Sequence, residues 1–258
     1  MPTAAALRRE IERTLENRFP AALSPVQQEI RQLAPTGIPG VDAVLEGGLP
    51  VGAISEVAGP ESSGRTSLVL AFLAQRTREG QVCAWVDACD SLDPESAAAS
   101  GVALKQLLWV RCRNGRGSAK GKPWTSLDQA VRATDLLLKA GGFAAIVLDL
   151  GEIAPEHASR IPLATWFRFR QAAHCSRATL VVMGQDAYAQ SSAAVVLRCA
   201  PLSANTAGES VLDGFQFAVR RERQRFTPSL NAARKPPAST WSASAWSAGA
   251  AWDVERRA

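Results

Sequence analysis

An α/β fold with a mostly parallel sheet, helices on both faces and an antiparallel edge is predicted by three features of the 258-residue chain. A glycine-rich loop, Gly59-Pro60-Glu61-Ser62-Ser63-Gly64-Arg65-Thr66-Ser67, lies between a strand-like run and a helix-like run. Beyond it, short apolar strands alternate with helical segments, as in parallel sheets built from crossover units. Two of those strands, residues 144–149 and 179–183, show no polar alternation, as strands buried on both faces do.

The loop comes first because it fits G-x-x-x-x-G-K-[ST] at every defined position but one, with Arg65 where the lysine belongs. Residues 53–57 read as a strand ending at the first glycine, and residues 68–73 open a helix. Strand, glycine loop and helix together point backbone N–H groups and a helix N-terminus at a phosphate. A chance glycine turn is the alternative, and the flanks argue against it. Gly59, Pro60, Glu61, Ser62, Ser63, Gly64, Arg65, Thr66 and Ser67 are therefore the candidate nucleotide-binding residues. Thr66 falls where a hydroxyl reaches Mg²⁺. ATP and Mg²⁺ are the expected cofactors, with weakened binding. The planar, forked guanidinium of Arg65 does not replace a compact ammonium in a close-fitting site.

The other elements follow in order. Residues 4–18 suggest an amphipathic helix with Leu7, Ile11 and Leu15 on one face. Residues 82–87 and 107–110 read as strands, and 94–100 as a short helix. A helix over 126–138 puts Leu127, Val131, Thr134 and Leu138 inward. Thr125 and Asp128 have capping-box spacing at its start, and Gly141-Gly142 stops it. Residues 163–174 form a further helix. Residues 194–199 and 215–219 have no helix between them and predict the antiparallel edge. Between Arg111 and Lys122 lie five basic residues (Arg111, Arg113, Arg116, Lys120, Lys122) and three glycines, which reads as a surface loop. Such a loop is either merely solvated or a set of phosphate contacts. After Phe226 the periodicity ends, and the Ala/Ser-rich stretch reads as disordered. It carries Trp241, Trp246 and Trp252, which are partner anchors or else fold back on the domain. The expected organisation is an N-terminal helix and linker over 1–34, a core over 35–226 and a tail over 227–258.

Composition narrows the function classes. Apolar residues make up 47%, enough for a sizeable core. No apolar run reaches the roughly 18 residues of a membrane helix, and the charged N-terminus lacks the apolar centre of a signal peptide. A cytoplasmic protein is expected. The five cysteines have no C-x-x-C spacing and read as reduced, mostly buried thiols. From Arg220 onward there are eight basic and three acidic residues, a difference equal to the whole net charge of +5. Attraction to nucleic acid must then be local: the loop above, and Arg220 and Arg221.

Pro35-Thr36-Gly37, Gly47-Gly48-Leu49-Pro50, the Gly59–Gly64 loop and Asp87-Ala88…Leu92-Asp93-Pro94 follow one another as in the RecA recombinases. The resemblance runs from about Pro35 to Gln224 and is tight as far as Pro94. Within that superfamily the chain is most similar to the ImuA group, accessory proteins of SOS mutagenesis. The resemblance implies a RecA-type P-loop NTPase core with Asp149 as the magnesium carboxylate and Asp93 near the adenine. It makes Gln185 the residue that senses the γ-phosphate. It puts Cys89 where the family's water-activating glutamate stands, with Asp90 beside it as a substitute, so any ATPase is expected to be weak or absent. Both loops that bind DNA in RecA are shortened here, and the large C-terminal domain of RecA has no counterpart. Phe19-Pro20-Ala21-Ala22 resembles the F-x-x-A segment by which these proteins plug into a neighbour, which singles out Phe19 and Ala22; a Phe-Pro docked on its own domain is the alternative. The implied partners are RecA, a Y-family polymerase homologue (ImuB-like), or a second copy of the chain. The implied role is an adaptor or regulator in the SOS response and translesion synthesis. A single-stranded-DNA-binding recombinase ATPase is the second possibility.

Overall fold

The structure, a computed structural model, describes residues 32–112, 125–207, 211–225 and 244–248, with backbone only for 205–207, 211–213 and 244–248. Phe19, Ala22, Arg113, Arg116, Lys120, Lys122, Trp241 and Trp252 lie outside the described residues.

Eight strands form the main sheet among the described residues. They are β3 (Ile54–Ala58), β4 (Cys83–Asp87), β5 (Leu107–Arg111), β6 (Ala145–Asp149), β7 (Thr179–Gly184), β8 (Ala193–Ala207), β9 (Val211–Gln224) and β10 (Ser244–Ala248). Their order is β10-β9-β8-β3-β7-β6-β4-β5. The pairs from β8 across to β5 are parallel, and β9 and β10 join antiparallel. Two short strands, β1 (Leu33–Ala34) and β2 (Leu49–Pro50), pair separately beside it. The mostly parallel sheet with an antiparallel edge is the fold class the sequence predicts.

The helices are α1 (Pro39–Val44), α2 (Arg65–Arg78), α3 (Pro94–Ala99), α4 (Ser126–Ala140), α5 (Pro155–Ala158) and α6 (Leu163–Ser176). Period-2 alternation sorts strand residues between the two faces. Ala145 and Val147 of β6 join Trp85, Val57 and Val181 under α2, whose Leu68, Phe72 and Leu73 fill that core. Ile146 and Leu148 point the other way, to Trp166 and Phe169 of α6 and Leu138 of α4. The Thr125–Asp128 capping box forms as predicted: Asp128 N–H donates to Thr125 Oγ1 at 3.1 Å, and Thr125 N–H returns to Asp128 Oδ2 at 3.2 Å.

The structure departs from the sequence-based expectations in two places. The β8–β9 hairpin runs out to Ala207 and back from Val211, well past the predicted strands. The tail read as disordered holds β10, with Trp246 in register with Phe217 of β9. An edge strand is specified by the neighbour it pairs with, and Ser/Ala composition does not announce it. Cys83, Cys112 and Cys199 are buried free thiols, as expected, and Cys175 is exposed. Among the described residues no helix is long and apolar enough to cross a membrane.

Candidate nucleotide site

Parallel strands of this kind place their functional groups at the carboxyl ends. β3 ends at Ala58 and delivers the glycine loop. β4 and β6 end level with each other, so Asp87 lies opposite Asp149 in the register, and Asp149 in turn opposite Met183 of β7. The loop, Asp149, Cys89 and Gln185 therefore gather at one edge of the sheet.

The loop is tightly built. Gly59 N–H donates to Gly184 O at 3.2 Å. A Cβ on Gly59 would meet Cys199 O at 2.4 Å and Ser63 Oγ at 2.7 Å, so only glycine fits between the neighbouring strand and the turn. Gly64 caps α2 with φ +80°, and the helix start carries neither a side-chain cap nor an acidic residue in its first turn. Its N–H groups are left for a ligand.

Two buried polar groups of the loop, Ser63 Oγ and Arg65 Nη1, find no protein partner. Buried donors are rarely left so unless something else binds them. The Arg65 guanidinium leans toward the Asp149 end: both of its terminal nitrogens lie 3.9 Å from the place a Gly151 Cβ would occupy, and Asp149 Oδ1 lies 3.1 Å from that place. Burial lowers the Arg65 pKa, and Asp149 is the first of the charges that oppose this. Glycine cradle, bare helix start and orphaned cation fit a phosphate chain. Thr66 is exposed at the helix start, and its hydroxyl has only the weak thioether of Met183 at 3.8 Å, so it fits a magnesium role. ATP and Mg²⁺, where bound, supply a polarised γ-phosphate. The chain's own residues supply the N–H cradle, the Arg65 charge and the Asp149 carboxylate.

Asp149 is buried and accepts Gly151 N–H at 2.9 Å. Burial pushes its pKa up to about 6; the Gly151 N–H opposes this, the like charge of Asp87 adds to it, and Arg65 opposes it more weakly. The folded chain thus holds this proton more tightly than the unfolded chain does. The resulting stability is full below the unfolded pKa of about 3.9 and is lost as pH rises through about 6. Asp149→Asn, neutral at every pH, is expected to gain about 1–3 kcal/mol at pH 7.5 and less at pH 5, read from urea denaturation at both pH values. Any Mg²⁺-dependent gain in nucleotide affinity should be absent from that variant, and in the native chain should fade below pH 6.

The other candidates are placed as follows. Cys89 is half-buried at the end of β4, and burial, then Asp149, Glu152 and Asp87, push its thiol up to about 11. Asp90, at φ 60°, gives both carboxylate oxygens to Arg111 of β5, whose guanidinium stacks on Trp109 at 4.6 Å. This ties Asp90 to the β5 edge and engages Arg111, one of the expected DNA contacts. Asp93 caps α3, accepting Glu95 and Ser96 N–H at 3.2 and 3.1 Å. Gln185 Nε2 donates to Gly151 O at 3.3 Å, joining the end of β7 to the turn after Asp149. Arg220 is exposed. Arg221 corrects an expectation. Its side chain is 5% exposed and pairs with Glu46 at 2.9 Å, so it is turned inward and not toward a nucleic acid.

Two buried carboxylates have no role assigned from the sequence, although Asp87 stands in one of the runs that carry the resemblance. Asp87 accepts Ser91, Leu92 and Cys89 N–H and Trp109 Nε1. Glu56 of β3 is 1% exposed, and its Oε1 accepts both Tyr188 and Ala189 N–H. Burial raises its pKa, and these two N–H groups and then Arg223 oppose the rise. Tyr188 also lies against Gly184, where a Cβ would meet its ring at 2.6 Å. The stretch after Gln185 is thus a short turn pinned to the sheet. The available signal for Glu56 was an acid within the apolar run Ile54-Ser55-Glu56-Val57, a position that requires a partner.

The fold and the loop define an α/β protein of the phosphate-loop class. The chain belongs to the RecA N-terminal domain family, which matches residues 5–157. It is 41% identical to Protein RecA of Ruegeria pomeroyi over 123 residues, which is 47% of this chain and 32% of that protein. It is 41% identical to Protein RecA of Haemophilus ducreyi over 115 residues, covering 44% of this chain and 28% of that one. The matches therefore span a third or less of these curated relatives. Among solved structures, that of the RadB recombinase superposes with a TM-score of 0.52 at 17% identity, covering 75% of this chain and 91% of that chain. At that identity the likeness is one of fold.

Proposed function

We propose that this chain is a RecA-like accessory protein of the SOS response and translesion synthesis, similar to ImuA. On this reading it binds other proteins as an adaptor or regulator and turns over little or no ATP. The observation that carries the reading is the pairing of an intact glycine cradle, with Arg65 in place of its lysine, and disabled neighbours. Cys89 is a thiol pushed up to about 11, and Asp90 is tied to Arg111. A protonated thiol does not activate water at neutral pH. The pinned turn after Gln185 supports the same reading, because a loop that follows a DNA strand needs freedom to move. The second reading, a recombinase-type ATPase that binds single-stranded DNA, is favoured by Thr66, Asp149 and Gln185 standing around the cradle. Weak, salt-sensitive nucleic-acid contacts through the 111–122 loop and Arg220 belong to either reading.

The proposed partners are RecA or a second copy of this chain through Phe19 and Ala22, and an ImuB-like Y-family polymerase homologue through the tail. β10 lies within that tail, so cutting after Leu230 would remove a sheet strand. Cutting after Ala248, or Trp241→Ala with Trp252→Ala, tests the tail while keeping the strand. In pull-downs with purified partners, Phe19→Ala is expected to weaken RecA binding or self-association and to leave the polymerase homologue bound. The tail variants are expected to do the reverse. Retention of both partners by every variant would refute the adaptor assignment.

A further inference from the structure

We propose that Phe215 is the stacking platform for the base of a nucleoside triphosphate whose phosphates sit on the Gly59–Thr66 loop. The inference rests on the reading of that loop as a phosphate site and adds the part of the ligand the loop does not hold.

β3 stops at Ala58, opposite Arg198 of β8, but the β8–β9 hairpin continues beyond that level. It rises as a wall beside the loop. Successive register pairs climb it: Cys199 with Val219, Pro201 with Phe217, and Ala204 with Phe215. Val219, Phe217 and Phe215 alternate along the strand and so share one face. Val219 and Phe217 are buried in the core under α2. The Phe217 ring lies directly on the loop: a Cβ on Gly64 would fall 2.5–2.8 Å from three of its carbons. Phe215 is the next step outward on that face, about 7 Å farther along the strand.

Phe215 is 43% exposed, with its ring near-parallel to Phe217 at 6.1 Å and 26°. An exposed phenylalanine held against a buried one has a fixed plane and an open face. A triphosphate lying on the loop N–H groups must send its ribose and base away from the helix start, and this wall borders the way out. The alternative contact, Asp93, already spends its carboxylate on the α3 cap. Stacking on a hydrocarbon ring reads area and not base edges, so purines should bind better than pyrimidines, with little choice between ATP and GTP.

The test is calorimetric binding of ATP, GTP, CTP and inorganic tripolyphosphate to the full chain. Phe215→Ala is expected to lower ATP affinity about tenfold and to leave tripolyphosphate unchanged. Phe215→Trp should hold or tighten ATP, and ATP and GTP should agree within a few-fold and exceed CTP. If Phe215→Ala changes neither ligand while tripolyphosphate binds, the phosphate site stands and the base platform is overturned. Loss of both ligands would make Phe215 a structural residue and would also overturn it. Binding of no ligand even to the native chain would sink the phosphate reading and this proposal together.

Discussion

Arg65→Lys combined with Cys89→Glu is expected to raise ATP turnover by about two orders of magnitude or more, the usual worth of a positioned general base. The cradle these changes act on is already built, with Gly59 wedged against Cys199 and the start of α2 open. Lysine would exchange a forked cation leaning toward Asp149 for a compact one that sits on the phosphates. Glutamate at position 89 would enter the surroundings that push the thiol up to about 11: burial first, then Asp149, Glu152 and Asp87. The same surroundings would raise its carboxyl from the ordinary range toward that of a useful base. Arg65→Lys alone should mainly tighten ATP. Cys89→Glu alone should gain little, because the phosphates would remain poorly held. Steady-state phosphate release, with circular dichroism to verify folding, reads all three variants. A double variant as silent as the native chain would move the cause to the pinned turn after Gln185.

Asp87→Ala is expected to be the most destabilising single change at the site. Asp87 is fully buried and takes Ser91 and Leu92 N–H at 3.0 and 2.9 Å, Cys89 N–H at 3.3 Å and Trp109 Nε1 at 3.1 Å. Alanine would leave four donors without their acceptor, that of Leu92 buried and the other three part-buried. A buried orphan costs about 1–3 kcal/mol and a part-buried one less, since water can reach it, so a loss of about 3 kcal/mol is expected, or roughly 6–12 °C in Tm. Asp87→Asn should cost about half as much, because its amide keeps one acceptor and turns an NH₂ on two of the donors. Urea denaturation measures both variants. A loss below about 1 kcal/mol for alanine would mean that the turn after β4 is held by other contacts.

The fold was legible where its signals are local or doubly buried. The glycine loop, the apolar runs of β6 and β7 and the Thr125–Asp128 cap could each be read without knowing their neighbours. The outer half of the β8–β9 hairpin could not. Pro201, Ser203 and Asn205 have loop composition, and they pair because the opposite strand is there. β10 is the same case in a stretch of Ser and Ala. At the site, Thr66 and Asp149 follow from the motif and its strand. The fates of Asp90 and Arg221 depend on Arg111 of an adjacent strand and on Glu46 of a distant turn, pairings that sequence order does not contain. Glu56 was missed because one acid in an apolar strand reads as noise until its two N–H partners are seen.

The central claim is a RecA-type core that has kept its phosphate cradle and lost its turnover. Its most direct test is steady-state ATP hydrolysis by the native chain with Mg²⁺, with and without single-stranded DNA. The account predicts turnover orders of magnitude below that of a RecA-type enzyme, with no stimulation by DNA. Hydrolysis at a rate comparable to such an enzyme, and raised by DNA, would contradict it.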